Sequence, residues 1–205
     1  MSIVVLISGR GSNMQALLAA GLPVSAVISN VADAAGLAIG RSHGVATCTV
    51  AHRDFASRED FDAALADEID RHAPTVVALA GFMRVLTPAF VRHYEGRLIN
   101  IHPSLLPSFP GLDTHARALA AGVKVHGCTV HFVTAQLDHG PIIIQAVVPV
   151  RPDDTAATLA ARVLRQEHIV YPRALQWVLD GRLVIGDGVV RVRGNDAQLV
   201  YSDRD

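Results

Sequence analysis

The feature that most constrains the fold of this 205-residue chain is its alternation of short apolar runs with longer segments of helical period. Residues 3–7 and 75–80 are apolar without alternation, which is typical of strands with both faces covered in a parallel sheet. Residues 57–72 instead carry Phe61, Leu65 and Ile69 on one face, which indicates an amphipathic helix. The rhythm predicts an α/β protein with a three-layer, mostly parallel, doubly wound sheet and ligands at the carboxyl ends of its strands.

The expected organisation is one domain over residues 1–205, with a nucleotide-binding half over residues 1–100 and a catalytic half over residues 101–205. In the first half, strands are predicted at residues 3–7, 24–29, 46–50, 75–80 and 98–102, and helices at residues 13–20, 33–43, 57–72 and 88–94. In the second half, helices are predicted at residues 115–121 and 155–180. Strands at residues 123–133 and 141–150 should extend the sheet, in part antiparallel. A hairpin turn is expected at Gly186-Asp187-Gly188, and fraying at the last residues.

Composition excludes several classes of protein. Half of the residues are hydrophobic and 18% are charged, and the formal net charge is −1, without a Lys/Arg stripe, so we expect no nucleic-acid partner. No apolar run reaches the roughly 18 to 20 residues of a membrane-spanning helix, so we expect no membrane association. Cys48 and Cys128 stand far apart and outside any metal-ligand spacing, which favours free thiols in a cytoplasmic protein.

A glycine-rich segment, residues 9–13, follows the first predicted strand and opens a helix with Ser12 as its expected N-cap. Main-chain N–H groups at such a helix start bind anions, although a plain tight turn would also explain the glycines. The dinucleotide fingerprint is incomplete, because Met14 holds its third glycine position and Asn30 stands where an NAD site would have an acidic residue. A Gly-Lys-Ser/Thr motif is also missing, so the loop suits a phosphate monoester better than NAD or ATP.

Two polar residues, Asn100 and His102, end a strand that is otherwise apolar. Their spacing places both on one face, at the carboxyl end where ligands bind in such sheets. Satisfied core polar residues are the alternative. Asp138 lies in a turn-forming segment, residues 137–141, and is a turn former unless it reaches His102, where it could orient the imidazole and relay a proton through water.

A metal site is not expected, although the chain has 10 histidines. None of them forms a His-Glu-x-x-His or Cys/His cluster. His126 and His131 stand five apart on a predicted strand, on opposite faces. A serine hydrolase is also disfavoured, because Ser104 lies outside any Gly-x-Ser-x-Gly motif, and we expect it to be positional.

Six segments together carry a family resemblance: ISGRGSN at residues 7–13, LAGFMRVL at 79–86, NIHPSLLP at 100–107, HGCTVHFV at 126–133, LDHGP at 137–141 and QEHIVYP at 166–172. Over nearly its whole length the chain resembles the phosphoribosylglycinamide formyltransferases, folate-dependent transferases of one-carbon metabolism and purine (IMP) biosynthesis. Two positions depart from common members: Asp113 replaces a histidine of several relatives, and Leu164 replaces a polar residue.

The resemblance implies transfer of a formyl group from 10-formyltetrahydrofolate to the glycyl amine of glycinamide ribonucleotide, with no metal. It implies a catalytic trio of Asn100, His102 and Asp138, with the folate in the second half. The implied substrate-binding residues are Gly11, Ser12 and Asn13 for the phosphate, Gly81 and Met83 for the glycinamide, and Glu167 for the ribose. The implied folate-binding residues are Arg58, Arg84, Val85, Leu86 and Asn100, with Arg58 near the glutamate tail of the folate or near the phosphate.

Other functions stay open at this stage. Among folate enzymes, methionyl-tRNA formyltransferase is expected to add a basic RNA-binding domain, and formyltetrahydrofolate hydrolase an N-terminal regulatory domain. A non-catalytic nucleotide-binding module would keep the glycine loop but need not keep Asn100, His102 and Asp138 together. We therefore expect an enzyme whose partners are its two substrates, and the sequence leaves a homodimer open.

Overall fold

A computed structural model describes residues 1–202, in two compact units that meet in sequence at Asn100 and Ile101. The first unit contains β1 (Ile3–Ile7), α1 (Ser12–Ala19), β2 (Val24–Ser29), α2 (Ala35–Ser42), β3 (Ala46–Thr49), a 3₁₀ turn (His52–Asp54), α3 (Arg58–Asp70), β4 (Val76–Leu79), α4 (Pro88–His93) and most of β5 (Leu98–His102). The second contains α5 (Thr114–Ala120), β6 (Val125–Phe132), β7 (Ile142–Pro149), α6 (Ala156–Leu179), β8 (Leu183–Gly186), β9 (Val189–Val192) and β10 (Leu199–Tyr201).

The first unit is built on a parallel sheet with strand order β5-β4-β1-β2-β3. Every residue of β1 and β4 is buried, so both faces of these central strands are covered. The chain runs outward from β1 to β3 and then returns to place β4 on the other side of β1. This reversal of strand order creates a topological switch point after the ends of β1 and β4, where ligands bind in such sheets.

Helix starts in the first unit follow from local chemistry. The Ser57 side chain accepts a hydrogen bond from the Asp60 N–H at the start of α3, and Thr87 does the same for Phe90 N–H at the start of α4. Pro88 occupies the first turn of α4, where its missing N–H costs nothing. The prediction that Ser12 caps α1 is wrong, because Gly11 holds the cap position and Ser12 is already helical.

The second unit carries the antiparallel part of the fold. β6 and β7 pair antiparallel, and β10 adds to β7 in parallel. β8 and β9 form a hairpin around Asp187 and Gly188, both with positive φ, as the sequence predicts. β10 is not predicted from the sequence. The predicted fold class, mostly parallel α/β with an antiparallel extension in the second half, is confirmed.

The sequence predicts no membrane-spanning helix and a frayed chain end. Among residues 1–202, no helix combines the length and the apolar character needed to cross a membrane. The fraying expected for the last residues falls partly on residues 203–205, which lie outside the described part of the chain.

Candidate active site

The glycine loop after β1 adopts at Gly11 a shape that favours glycine. Gly11 has φ 75°, and a Cβ built there would lie 2.8 Å from the Gly36 Cα. Gly36, at the start of α2, donates its N–H to the Gly9 carbonyl over 3.0 Å. The two main chains therefore touch, and α1 begins directly behind the loop. First-turn N–H groups of a helix have no acceptor within that helix, which suits an anion.

Alanine at Gly36 should destabilise the protein by about 1 to 3 kcal/mol, because its Cβ would lie 2.5 Å from the Ile7 Cδ1 and 3.1 Å from the Gly11 Cα. Gly9→Ala is the matched control, since a Cβ there meets nothing within 4 Å. Urea denaturation of both variants measures the difference. Equal unfolding free energies for the two variants would contradict the close packing of the loop against α2.

The segment after β4 also lies at the switch point. Gly81 has φ 75° and is exposed, and Met83 and Val85 expose 67% and 55% of their surface. Two exposed apolar side chains beside a switch point are typical of a binding surface. Arg84 and Leu86 are half-buried, and Arg58 is exposed at the first position of α3.

Asn100 and His102 lie at the carboxyl end of β5, two residues apart on the same strand, as predicted. Asn100 is half-buried and pairs in register with Leu79 of β4. The His102 Nε2 lies 3.0 Å from the Phe109 carbonyl oxygen, and its Nδ1 lies 3.4 Å from Asp138 Oδ2. Both ring nitrogens thus face oxygen acceptors, a setting in which an imidazolium can donate a proton on each side.

Asp138 is held next to His102 by its own loop. Its side chain is 7% exposed, Oδ2 accepts the Gly111 N–H over 2.8 Å, and Oδ1 lies 3.9 Å from the His131 Nε2. Asp138 has φ 51°, a conformation that Asp and Asn tolerate better than most residues. A buried carboxylate between two imidazoles can orient His102 and bind a proton in transit.

Three further histidines surround this pair in the second unit. Burial, and then the charge of His102, lowers the pKa of His115. Burial is also the main cause that lowers the pKa of His131. For His126, burial and the neighbouring His115, whose Nδ1 is 3.2 Å from the His126 Nε2, lower the pKa to about 4. Among residues 1–202, no three metal-binding side chains are grouped as a metal site.

The low pKa of His126 predicts a loss of stability in acid. An unfolded histidine binds a proton near pH 6.5 and folded His126 only near pH 4, so the unfolded state is favoured as the pH falls below about 6.5. Between pH 7.5 and 4.5 the protein should lose about 2 kcal/mol more unfolding free energy than His126→Gln.

Urea denaturation across that pH range provides the measurement. The control is His43→Gln, which replaces an exposed imidazole and should lose stability in parallel with the unchanged protein. Parallel curves for His126→Gln and the unchanged protein would show that His126 does not resist protonation.

Glu167 lies on α6 and is only 7% exposed. Its negative charge adds to burial in raising the pKa of the Cys128 thiol and of the Tyr171 phenol. Cys128 therefore stays a neutral thiol, and a nucleophilic role for it is disfavoured.

Seven residues make contacts around the candidate site that could not be predicted from the sequence. These are Ser8, Asn30, Gly36 and Asp62 in the first unit, and Phe109, Gly111 and His131 in the second. Ser104 is positional as expected, since its Oγ donates to the Ser108 carbonyl within the loop. Asp113 holds the N-cap position of α5 with φ 55°, and its side chain makes no capping hydrogen bond there. No local sequence pattern predicts the contacts of these seven residues, because each contact joins two different segments of the folded chain.

Comparisons with known proteins identify the family of the chain. The family model described as Formyl transferase matches residues 1–175. The chain is 53% identical over 200 residues to phosphoribosylglycinamide formyltransferase of Escherichia coli, covering 95% of this chain and 94% of that protein. It is 44% identical over 191 residues to the human trifunctional purine biosynthetic protein adenosine-3, covering 90% of this chain but only 19% of that longer protein.

A solved structure gives the same result for the fold. The crystal structure of phosphoribosylglycinamide formyltransferase from Anaplasma phagocytophilum matches with a TM-score of 0.94 and 42% identity, over 99% of both chains. The family match covers well over half of the chain, and two of the relatives match over nearly their full length. The chain therefore belongs to the formyl transferase family.

Proposed function

We propose that the chain transfers the formyl group of 10-formyltetrahydrofolate to the glycyl amine of glycinamide ribonucleotide, in purine biosynthesis. Full-length relatives named phosphoribosylglycinamide formyltransferase support this reaction. The observation that carries the proposal is the 3.4 Å contact between His102 Nδ1 and Asp138 Oδ2. His102 lies two residues after Asn100 on the same strand. An imidazole paired with a carboxylate is a common means of moving protons in acyl transfer, and this supports the proposal.

Asn100 is proposed to donate its amide N–H to the oxygen of the formyl group. When an amine attacks a carbonyl, negative charge develops on that oxygen, and a fixed donor stabilises it. Asn100 is well placed for this role because β5 fixes its main chain at the carboxyl end of the strand. Removal of one such donor typically costs about 3 to 4 kcal/mol of transition-state stabilisation.

His102 and Asp138 are proposed to manage the protons. The attacking amine acquires a surplus proton, and the leaving nitrogen needs one. His102 can donate a hydrogen bond from Nε2 to the charged oxygen once the substrate replaces the Phe109 carbonyl as the acceptor. Asp138 would hold His102 in position and relay a proton through water. No covalent intermediate with the protein and no metal is needed in this scheme.

The substrate roles are proposed residue by residue. Gly11, Ser12 and Asn13 would hold the phosphate, which the helix start behind Gly11 supports. Gly81 and Met83 would place the glycinamide through their main chain. The buried carboxylate of Glu167 would accept hydrogen bonds from the ribose hydroxyls.

For the folate, Arg84, Val85 and Leu86 would line the binding surface and Arg58 would pair with the anionic glutamate tail. The exposed apolar side chain of Val85 and the exposed Arg58 fit an aromatic ring system with a charged tail. The co-substrate supplies the activated formyl carbon. The free thiols of Cys48 and Cys128 are consistent with the cytoplasmic location that we propose.

The test is an absorbance assay of folate deformylation in the presence and absence of glycinamide ribonucleotide. We expect deformylation only when the amine substrate is present. Formyl loss at the same rate without the amine would identify a hydrolase and overturn the proposed function. Binding of both compounds without turnover would indicate a non-catalytic module.

A further inference from the structure

Residues 81–86, between β4 and α4, form an irregular segment with few main-chain hydrogen bonds. Within residues 1–202, the main-chain groups of Arg84, Val85 and Leu86 make no hydrogen bond to the protein. Such groups are available to a ligand, but a segment of this kind loses its shape unless side chains elsewhere hold it. The structure shows two side-chain anchors, one near each end.

The first anchor is Ser8, the residue after β1. Its Oγ accepts the Met83 N–H over 2.7 Å and donates to Asn30 Oδ1 over 2.6 Å. Asn30, the residue after β2, is 3% exposed, and its Nδ2 lies 3.1 Å from the His52 Nδ1. The Ser8 hydroxyl therefore cannot rotate freely, because Asn30 fixes its proton and leaves a lone pair for Met83.

The second anchor is Asp62, on the buried face of α3. Its Oδ2 accepts the Thr87 N–H over 2.6 Å, while within residues 1–202 its Oδ1 has no hydrogen-bond partner. The residue is 3% exposed, so its position is costly for a carboxylate with a single hydrogen bond. The neighbouring Phe61 ring lies 6.0 Å from the Arg84 guanidinium, which adds a cation–π contact to the same segment.

We propose that Ser8, Asn30 and Asp62 are positioning residues for formyl transfer, an inference that rests on the proposed function. Ser8, held by Asn30, sets the start of the segment around Met83, which is assigned to the glycinamide. Asp62 fixes Thr87, the residue directly after the segment and beside the residues assigned to the folate. The two anchors are far apart in sequence and meet the segment at different points, so their loss should affect the two substrates differently.

The first test is a pair of variants at Asp62. Asp62→Ala should raise the KM for 10-formyltetrahydrofolate about ten-fold and leave the KM for glycinamide ribonucleotide and kcat within about two-fold. Asp62→Asn should restore the folate KM to within about three-fold, because its amide oxygen can accept the Thr87 N–H. Equal increases of both KM values in Asp62→Ala would overturn the assignment of this anchor.

The second test is the corresponding pair at Ser8. Ser8→Ala should raise the KM for glycinamide ribonucleotide about ten-fold, with a smaller change in the folate KM. Ser8→Thr keeps the hydroxyl and should restore the value. A rise in the folate KM alone would overturn the assignment of Ser8.

A matched control separates positioning from a general loss of stability. Tyr94→Phe removes a hydrogen bond to Asp70 Oδ1 that is 2.9 Å long, in the same unit but outside the segment. It should lower the unfolding free energy and leave both KM values unchanged. If Tyr94→Phe changes the KM values as the anchor variants do, the proposal is wrong.

Hydrogen exchange of the peptide that spans residues 81–87 tests the anchors independently of turnover. Exchange there should be faster in Asp62→Ala and in Ser8→Ala, but not in Asp62→Asn, Ser8→Thr or Tyr94→Phe. Unchanged exchange in both alanine variants would overturn the proposal even if the reaction is confirmed. If the protein without substitutions does not catalyse formyl transfer, the proposed function is overturned, and with it the kinetic role of the anchors. Faster exchange of residues 81–87 in the alanine variants would still establish the anchoring contacts.

Discussion

Asn100→Ala should lower kcat about 10²- to 10³-fold while the KM for each substrate changes by no more than about three-fold. The amide of Asn100 is assigned to an oxygen that is strongly charged only in the transition state, so its loss affects the rate more than binding. The side chain is half-buried on β5, and alanine retains the main-chain groups through which β5 pairs with β4. We therefore expect the variant to fold.

Asn100→Asp is the informative companion, because it keeps the size of the side chain and replaces the donor by a negative charge. Its kcat should be no higher than the kcat of Asn100→Ala. The measurement is steady-state kinetics, with far-ultraviolet circular dichroism as the control for folding. A folded Asn100→Ala protein with kcat within three-fold of the unchanged protein would remove Asn100 from the mechanism.

Asp138→Asn should lower kcat about 10²-fold or more, by removing the charge that faces His102 over 3.4 Å. Asparagine tolerates the φ of 51° at this position and keeps an oxygen for the Gly111 N–H, so the loop should keep its shape. The loss would then report on proton handling rather than on folding. Steady-state kinetics measures it.

Asp187→Asn is the matched control, since Asp187 also has positive φ but lies in the hairpin turn between β8 and β9. It should change neither kcat nor KM. If Asp138→Asn is as active as Asp187→Asn, a charged partner of His102 is not needed and Asp138 is only a loop former.

The strands of the first unit could be predicted from sequence because burial on both faces demands uninterrupted apolar runs. β1, β2 and β5 have the predicted bounds. Helix ends were less predictable, since they depend on local hydrogen bonds: α3 ends at Asp70 rather than at His72. β10 is only three residues long and is defined by its pairing with β7, which a local pattern does not contain.

In the site, as in the fold, positions set by local geometry could be predicted, and contacts between distant segments could not. Asn100 and His102 could be placed together because strand geometry relates residues two apart. Asp138 could be assigned to His102 only through the family resemblance, and the structure brings their side chains to 3.4 Å. The contacts of Ser8 with Met83, of Gly11 with Gly36 and of Asp62 with Thr87 could not be predicted, since each joins segments that meet only in the folded chain.

We propose direct transfer of the formyl group from folate to the amine, guided by Asn100, His102 and Asp138. The most direct test supplies 10-formyltetrahydrofolate labelled with ¹³C in its formyl group, together with glycinamide ribonucleotide, and follows the label by NMR. We expect one labelled formamide on the ribonucleotide for each folate deformylated, and no labelled formate. Labelled formate as the main product, or label bound covalently to the protein, would contradict it.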